Sequence, residues 1–276
     1  MGYKRVLTVQ DISCFGQCSL TVALPILSAC GVETCILPSA VLSTHTAGFS
    51  GFTFRDLTED MPKILDHWAK EGISFDCIYT GYLGSITQIE YVKRMKSEFL
   101  RDGAKLIVDP AMGDNGKLYS IFDLSYAKEM AKLCAVADVI VPNITEACYM
   151  TGLEYRENYD EAYVDEVLHA LDKMGAKTVV LTGISYTKDT TGVVVYENGT
   201  KQYYKHAKFE KGCHGTGDVY SSAFVGAYLR GNDLFESAKI AADYTYKCIA
   251  NTYGDTTHWY GVKFETAIDY LTERLK

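Results

Sequence analysis

No two cysteines in this chain stand in CxxC spacing, and the nine present (Cys14, Cys18, Cys30, Cys35, Cys77, Cys134, Cys148, Cys213, Cys248) are odd in number and evenly spread. That argues against a disulfide framework or a zinc site. Most lie in apolar runs such as Thr34-Cys35-Ile36-Leu37, which predicts buried free thiols in a reducing compartment. No window approaches the roughly 18 uninterrupted apolar residues of a membrane span. No signal-peptide core comes after Met1-Gly2-Tyr3-Lys4-Arg5. A cytoplasmic protein without a membrane partner is expected. Prolines number only five in 276 residues, and no linker or low-complexity tract interrupts them, so one domain spanning 1–276 is expected. Net charge is 27 − 35 = −8, which argues against nucleic acid as a partner. It leaves a phosphate ligand open, because backbone amides can cradle phosphate on an acidic protein. GxxxxGK[ST], complete GxGxxG and HExxH are all missing, which disfavours P-loop NTPases, Rossmann dehydrogenases and zincins.

Short β-branched runs recur instead: Val6–Val9, Thr34–Leu37, Cys77–Thr80, Leu106–Val108, Val139–Val141, Thr178–Leu181 and Val193–Tyr196. Runs of this kind fit strands buried on both faces of a parallel sheet. Stretches of helical period lie between them, with Ile89, Val92, Met95 and Phe99 on one stripe and Val164, Val167, Leu168, Leu171 and Met174 on another. Ser85-x-x-Gln88 and Asp233-x-x-Glu236 have capping-box spacing and should start helices. The alternation predicts an α/β fold with a mostly parallel sheet. Val193–Tyr196 and Tyr203–His206, joined by Glu197-Asn198-Gly199-Thr200, predict a hairpin on one edge.

Ligands of open α/β sheets sit beyond the carboxyl ends of the strands. Those ends carry Gln10-Asp11-Ile12-Ser13, Gly81-Tyr82-Leu83-Gly84-Ser85, Asp109-Pro110-Ala111-Met112-Gly113-Asp114, Pro142-Asn143-Ile144-Thr145-Glu146 and Thr182-Gly183. Gly212-Cys213-His214-Gly215-Thr216-Gly217-Asp218 comes after the hairpin. Small and acidic residues thus gather on one rim. In Gly215-Thr216-Gly217-Asp218 a tight turn opens a helix, so free amides and the dipole face an anion while Asp218 could take a proton from an attacking hydroxyl. The turn also has a plainer reading, an acid favouring a helix start. Asn143-x-x-Glu146 is equally a capping box, and Asp109-Pro110 equally a turn. Asp109 and Asp114 could hold Mg²⁺ through water. His214 lacks a visible orienting partner.

In their order and spacing, these motifs resemble the pyridoxal/pyridoxine/pyridoxamine kinase branch of the ribokinase superfamily over nearly the whole chain. The resemblance implies a three-layer α/β/α ribokinase-like fold, usually a homodimer, that transfers the ATP γ-phosphate to the hydroxymethyl group of a B6 vitamer. By position it implies Asp218 as general base, with Gly215, Thr216 and Gly217 as the anion hole. It implies Asn143, Glu146, Asp109, Thr182, Thr216, Gly217 and Tyr119 around ATP, and Asp114 with Glu146 around Mg²⁺. Asp11, His45, Thr46 and Tyr82 would meet the vitamer, Thr44-His45-Thr46 standing where the branch has Asn-His-Thr.

Besides Thr44, two positions depart from the branch. Asp11 replaces the serine of Gln-Ser-His-Val, and hydroxymethylpyrimidine kinases of thiamine synthesis carry an Asp near this place. They also carry Gly-Gly-x-Gly after it, where this chain has Gly16-Gln17-Cys18-Ser19. Val141 stands where some members place a threonine near a monovalent cation, which counts against a K⁺ requirement. The alternatives are therefore a hydroxymethylpyrimidine kinase and a vitamer- or nucleotide-binding protein without catalysis. Retention of Asp218 speaks against the latter.

Overall fold

The computed structural model describes residues 2–210 and 212–276. In chain order the elements are β1 (Arg5–Ser13), α1 (Leu20–Ala29), β2 (Glu33–Leu42), β3 (Phe54–Asp56), α2 (Met61–Lys70), β4 (Phe75–Thr80), α3 (Ile86–Phe99) and β5 (Leu100–Val108). Next come β6 (Gly113–Asp114), β7 (Lys117–Leu118), α4 (Leu124–Val136), β8 (Val139–Ile140), α5 (Ile144–Thr151) and α6 (Glu161–Met174). The chain ends with β9 (Thr178–Thr187), β10 (Thr190–Glu197), β11 (Thr200–Ala207), α7 (Thr216–Leu229), α8 (Leu234–Thr252), a 3₁₀ turn at Phe264–Ala267 and α9 (Ile268–Arg274).

Nine strands form one sheet in the order β11-β10-β9-β8-β5-β4-β1-β2-β3. The six from β9 to β2 run parallel, and β10, β11 and β3 are antiparallel additions at the two edges. Alternate residues of each strand feed two separate cores, as the period-2 geometry of a strand requires. Leu7, Val9, Ile78, Leu106 and Val108 pack with α2 to α6 on one face. Val6, Cys77, Tyr79 and Ile107 pack with α1, α7, α8 and α9 on the other. The result is the expected α/β/α sandwich with its edge hairpin.

Several local expectations are corrected. The hairpin turn is two residues, Asn198-Gly199, rather than four; φ values of 49° and 86° there match the right-handed strand twist. β9 runs on through Thr182 and Gly183, so these lie inside a strand rather than after one, at a break in its register with β10. β3 and the small β6–β7 hairpin are too short for hydrophobic periodicity to reveal. All nine cysteines are free, but only Cys30, Cys77, Cys134, Cys148 and Cys248 are buried; Cys14 is exposed and Cys18, Cys35 and Cys213 are half-buried. Ser85 and Asp233 cap α3 and α8 as expected. The return arm of each box is absent from the bonds of the described residues: Gln88 turns to other partners and Glu236 to Lys239. Among the described residues no helix is long and apolar enough to cross a membrane.

Candidate active site

Asp11, Asp109 and Asn143 stand at the carboxyl ends of β1, β5 and β8, and α7 begins above them. Around Asp11 the register of β1 on β2 shifts, so that one residue faces two, Ser39 and Ala40. Bulges of this kind re-aim side chains beside sites. Asp11 is buried, and Ser13 Oγ donates to its Oδ2 at 2.9 Å. Burial raises its pKa against hydrogen bonds from Ser19 and Ser13 and the nearby His45.

Gly215 is the N-cap of α7 in the left-handed region, at φ 77°. A Cβ there would lie 2.0 Å from the Gln17 carbonyl oxygen, so only glycine admits this approach of the two loops. The first amides of α7 have no intrahelical acceptor and form the positive end of its dipole. Asp218 sits in this first turn. Desolvation, with Asp109 and Asp11 nearby, pushes its carboxyl up to about 7 against a Ser19 backbone hydrogen bond. A group so held can accept a proton near neutral pH. One turn on, Ser221 Oγ donates to Asp109 Oδ2 at 2.7 Å. Burial holds Asp109 above the ordinary carboxylate range.

Tyr82 is half-buried on the loop after β4. Ser39 Oγ donates to its carbonyl at 3.0 Å, and Gln88, fully buried, accepts from Gly84 N–H at 2.7 Å while donating to Ser39 O at 2.9 Å and Thr58 Oγ1 at 2.8 Å. Gln88 thus ties the Tyr82 loop to β2. The Tyr82 ring lies 5.7 Å from Phe122, which stacks on Tyr126 at 3.9 Å. His45 is buried, its Nε2 2.7 Å from Tyr260 O and its Nδ1 accepting from Ala47 N–H at 3.1 Å. Both ring nitrogens are therefore occupied by backbone, and the ring packs over Gly16. Thr46 next to it is exposed.

At the other end of the rim, Asn143 and Glu146 form a complete capping box on α5. Glu146 is buried, with Asn143 N–H at 2.9 Å on one oxygen and Met112 N–H at 3.2 Å on the other. Burial and then Asp109 push its carboxyl well above the usual range, against the backbone hydrogen bonds it accepts. Asn143 Nδ2 reaches Gly113 O at 2.9 Å, and Thr182 Oγ1 reaches Pro142 O at 3.3 Å. Asp114 is exposed and accepts from Asn115 on both oxygens, at 2.8 and 2.9 Å. Tyr119 joins this end to the other: desolvation, then Glu146, Asp114, Asp218 and Asp109, push its hydroxyl upward. His214 is exposed, its ring 5.7 Å from that of His45, and desolvation and His45 push its pKa down.

The structure therefore gathers Asp11, Asp218, Asp109 and Glu146 beneath one rim, with Tyr82 and Tyr119 at its sides. Thr46 and Asp114 are exposed. Sequence reasoning missed Ser221 and Ser13, which bond the carboxylates of Asp109 and Asp11. Ser221 alone carried a signal, three residues after Asp218 on the same helical face.

The phosphomethylpyrimidine kinase family model matches residues 24–261. A Bacteroides thetaiotaomicron protein, a candidate phosphomethylpyrimidine kinase crystallised with pyridoxal, is 36% identical, with 98% of this chain and 96% of that one covered and a TM-score of 0.91. Pyridoxal kinase of Lactobacillus plantarum is 30% identical, covering 99% and 98% of the two chains, with a TM-score of 0.90. Pyridoxal kinase of Dictyostelium discoideum is 27% identical over 90% of this chain and 86% of its own.

Proposed function

The chain belongs to the phosphomethylpyrimidine kinase family of phosphotransferases, with a ribokinase-like fold, and from that premise we propose that it phosphorylates the 5′-hydroxymethyl group of a B6 vitamer with ATP. The carrying observation is Asp218: a carboxyl pushed up to about 7 beside the open amides of a helix start. Asp218 takes the proton of the vitamer hydroxyl as its oxygen bonds to the γ-phosphorus and the bond to the ADP oxygen breaks. Amides of Gly215, Thr216 and Gly217 hold the charge on the transferring phosphoryl group. Asp11, His45, Thr46 and Tyr82 surround the vitamer, and Asn143, Asp109, Thr182 and Tyr119 the nucleotide. The whole chain acts as one kinase domain, in a cytoplasmic homodimer.

Among the described residues no three His, Cys, Asp or Glu side chains converge to hold a metal directly. The buried Glu146 and Asp109, with Asp114, fit Mg²⁺ only through water, the hydration this ion keeps readily. When bound it neutralises charge on the ATP phosphates.

One observation favours a second reading, hydroxymethylpyrimidine phosphorylation: the buried carboxyl of Asp11 could pair with a pyrimidine amine or ring proton. An ADP-release assay across pyridoxal, pyridoxine, pyridoxamine and hydroxymethylpyrimidine separates the two. Turnover of the B6 vitamers supports the proposal. Robust turnover of hydroxymethylpyrimidine with none of any vitamer overturns it.

A further inference from the structure

Gln17, in the loop between β1 and α1, is seated between two glycines. On one side is Gly215, where a Cβ would meet the Gln17 carbonyl oxygen at 2.0 Å. On the other is Gly261, where a Cβ would lie 2.7 Å from Gln17 Cβ and 3.2 Å from its backbone nitrogen. Gly261 is buried and is not among the glycines of positive φ, so close approach alone asks for glycine there. The stretch around Gly261 also holds both ends of the Gln17 amide. Gln17 Nε2 donates to the two Glu265 oxygens at 2.7 and 2.9 Å, and Gln17 Oε1 accepts from His258 Nε2 at 2.9 Å. Between these two, Tyr260 O lies 2.7 Å from His45 Nε2; Ala47 N–H donates to Nδ1, so Nε2 carries the proton. Residues 258–265 thus grip the loops after β1 and after β2 together. The grip is firm, because Val262 and Phe264 are buried in the core, Tyr244 OH donates to Phe264 O at 3.0 Å and Lys263 N–H to Thr252 Oγ1 at 2.9 Å.

We propose that Gln17 is a positioning residue for phosphoryl transfer: residues 258–265 hold its amide, and its carbonyl, packed against Gly215, fixes the turn whose amides face the transferring group. This rests on the reading of Gly215, Thr216 and Gly217 as the anion hole. Such a turn stabilises developing charge only if its N–H groups are aimed beforehand. Here the aim cannot come from a capping side chain, because the N-cap of α7 is glycine and α7 has no side-chain cap hydrogen bond. Glycine is also the residue that leaves the backbone freest to move. The support therefore has to come from a neighbour, and the Gln17 carbonyl is in contact at that place. A chain segment remote in sequence, at the far end of α8, in this way reaches the catalytic turn through one side chain.

Four variants test the coupling. Gln17→Ala removes both arms of the amide, and Gly261→Ala pushes on Gln17 from the other side. Glu265→Ala removes the acceptor, whereas Glu265→Gln keeps one acceptor oxygen. Each is assayed well below its melting temperature for kcat, for ATP KM, and for binding of Mg²⁺ and ADP with and without aluminium fluoride, which stands in for the transferring phosphoryl group. Gln17→Ala and Gly261→Ala should lose about tenfold to a hundredfold in kcat with ATP KM unchanged, the loss expected of a misplaced group. Affinity for ADP with aluminium fluoride should fall by a similar factor while ADP alone binds as in the wild type, since only the transition state uses the turn. Glu265→Ala should shift in the same direction, and Glu265→Gln should recover most of the loss. A lowered melting temperature in Gln17→Ala with unchanged aluminium fluoride affinity would overturn the proposal and leave Gln17 as a stitch between loops. A Glu265→Gln enzyme as impaired as Glu265→Ala would also overturn it. Should Gly261→Ala fail to fold, Gln17→Ala decides alone. A wild type that binds ADP no more tightly with aluminium fluoride than without would instead remove the anion-hole reading, and one that turns over no B6 vitamer the substrate reading, so the failures stay distinct.

Discussion

Ser221 Oγ donates to Asp109 Oδ2 at 2.7 Å, tying the carboxyl end of β5 to α7 one turn beyond Asp218. Asp109 is buried, so this donor helps to balance the loss of water around its carboxylate. Ser221→Ala should lower stability by about 1–3 kcal/mol at pH 8. The loss should shrink near pH 5, where Asp109 gains its proton. Urea unfolding at the two pH values measures it, and an equal loss at both would show that the hydroxyl matters only for packing.

Asp218 gives stability a pH dependence of definite sign. Folded, it holds its proton up to about 7; its ordinary carboxyl value is 3.8. The folded state therefore binds more protons than the unfolded one between these values, and the contribution is fully present below about 3.8 and lost as pH rises through about 7. Asp218→Asn should accordingly gain in melting temperature relative to the wild type as pH is raised from 4 to 8 without ligands. A difference that stays flat across that range contradicts the raised carboxyl.

Glu146 has two roles that one substitution can separate. Both of its oxygens accept backbone N–H groups, from Asn143 and Met112. Glutamine offers a donor where one of those oxygens was, so Glu146→Gln should cost about 1–3 kcal/mol. It should also raise the Mg²⁺ concentration needed for half-maximal activity. A lowered melting temperature with an unchanged Mg²⁺ titration would leave Glu146 as a helix cap only.

The strands and the carboxyl-end rim were legible because buried parallel strands are continuous apolar runs and the loops at their carboxyl ends are polar. Asn143 and Glu146 show where legibility stops: the capping box that spacing suggested is fully formed, and spacing alone says nothing of the Met112 amide that also meets Glu146. Gln88 read as a cap partner, whereas its amide clamps the Tyr82 loop to Ser39 and Thr58. Ser19 was opaque, since its φ of 55° leaves no mark on residue type when the residue is serine. The two-residue β6 and β7 fall below the length at which alternation carries information.

Asp218 carries the chemistry in this account, so the most direct measurement is formation of vitamer 5′-phosphate from pyridoxal and ATP by wild type and Asp218→Asn, with nucleotide binding measured alongside. The expected result is product from the wild type, a fall of about 10²–10⁴-fold in kcat for the variant, and ATP binding largely intact. A variant that keeps more than about a tenth of wild-type kcat, well above the loss expected when a general base is removed, would contradict it and turn attention to His214.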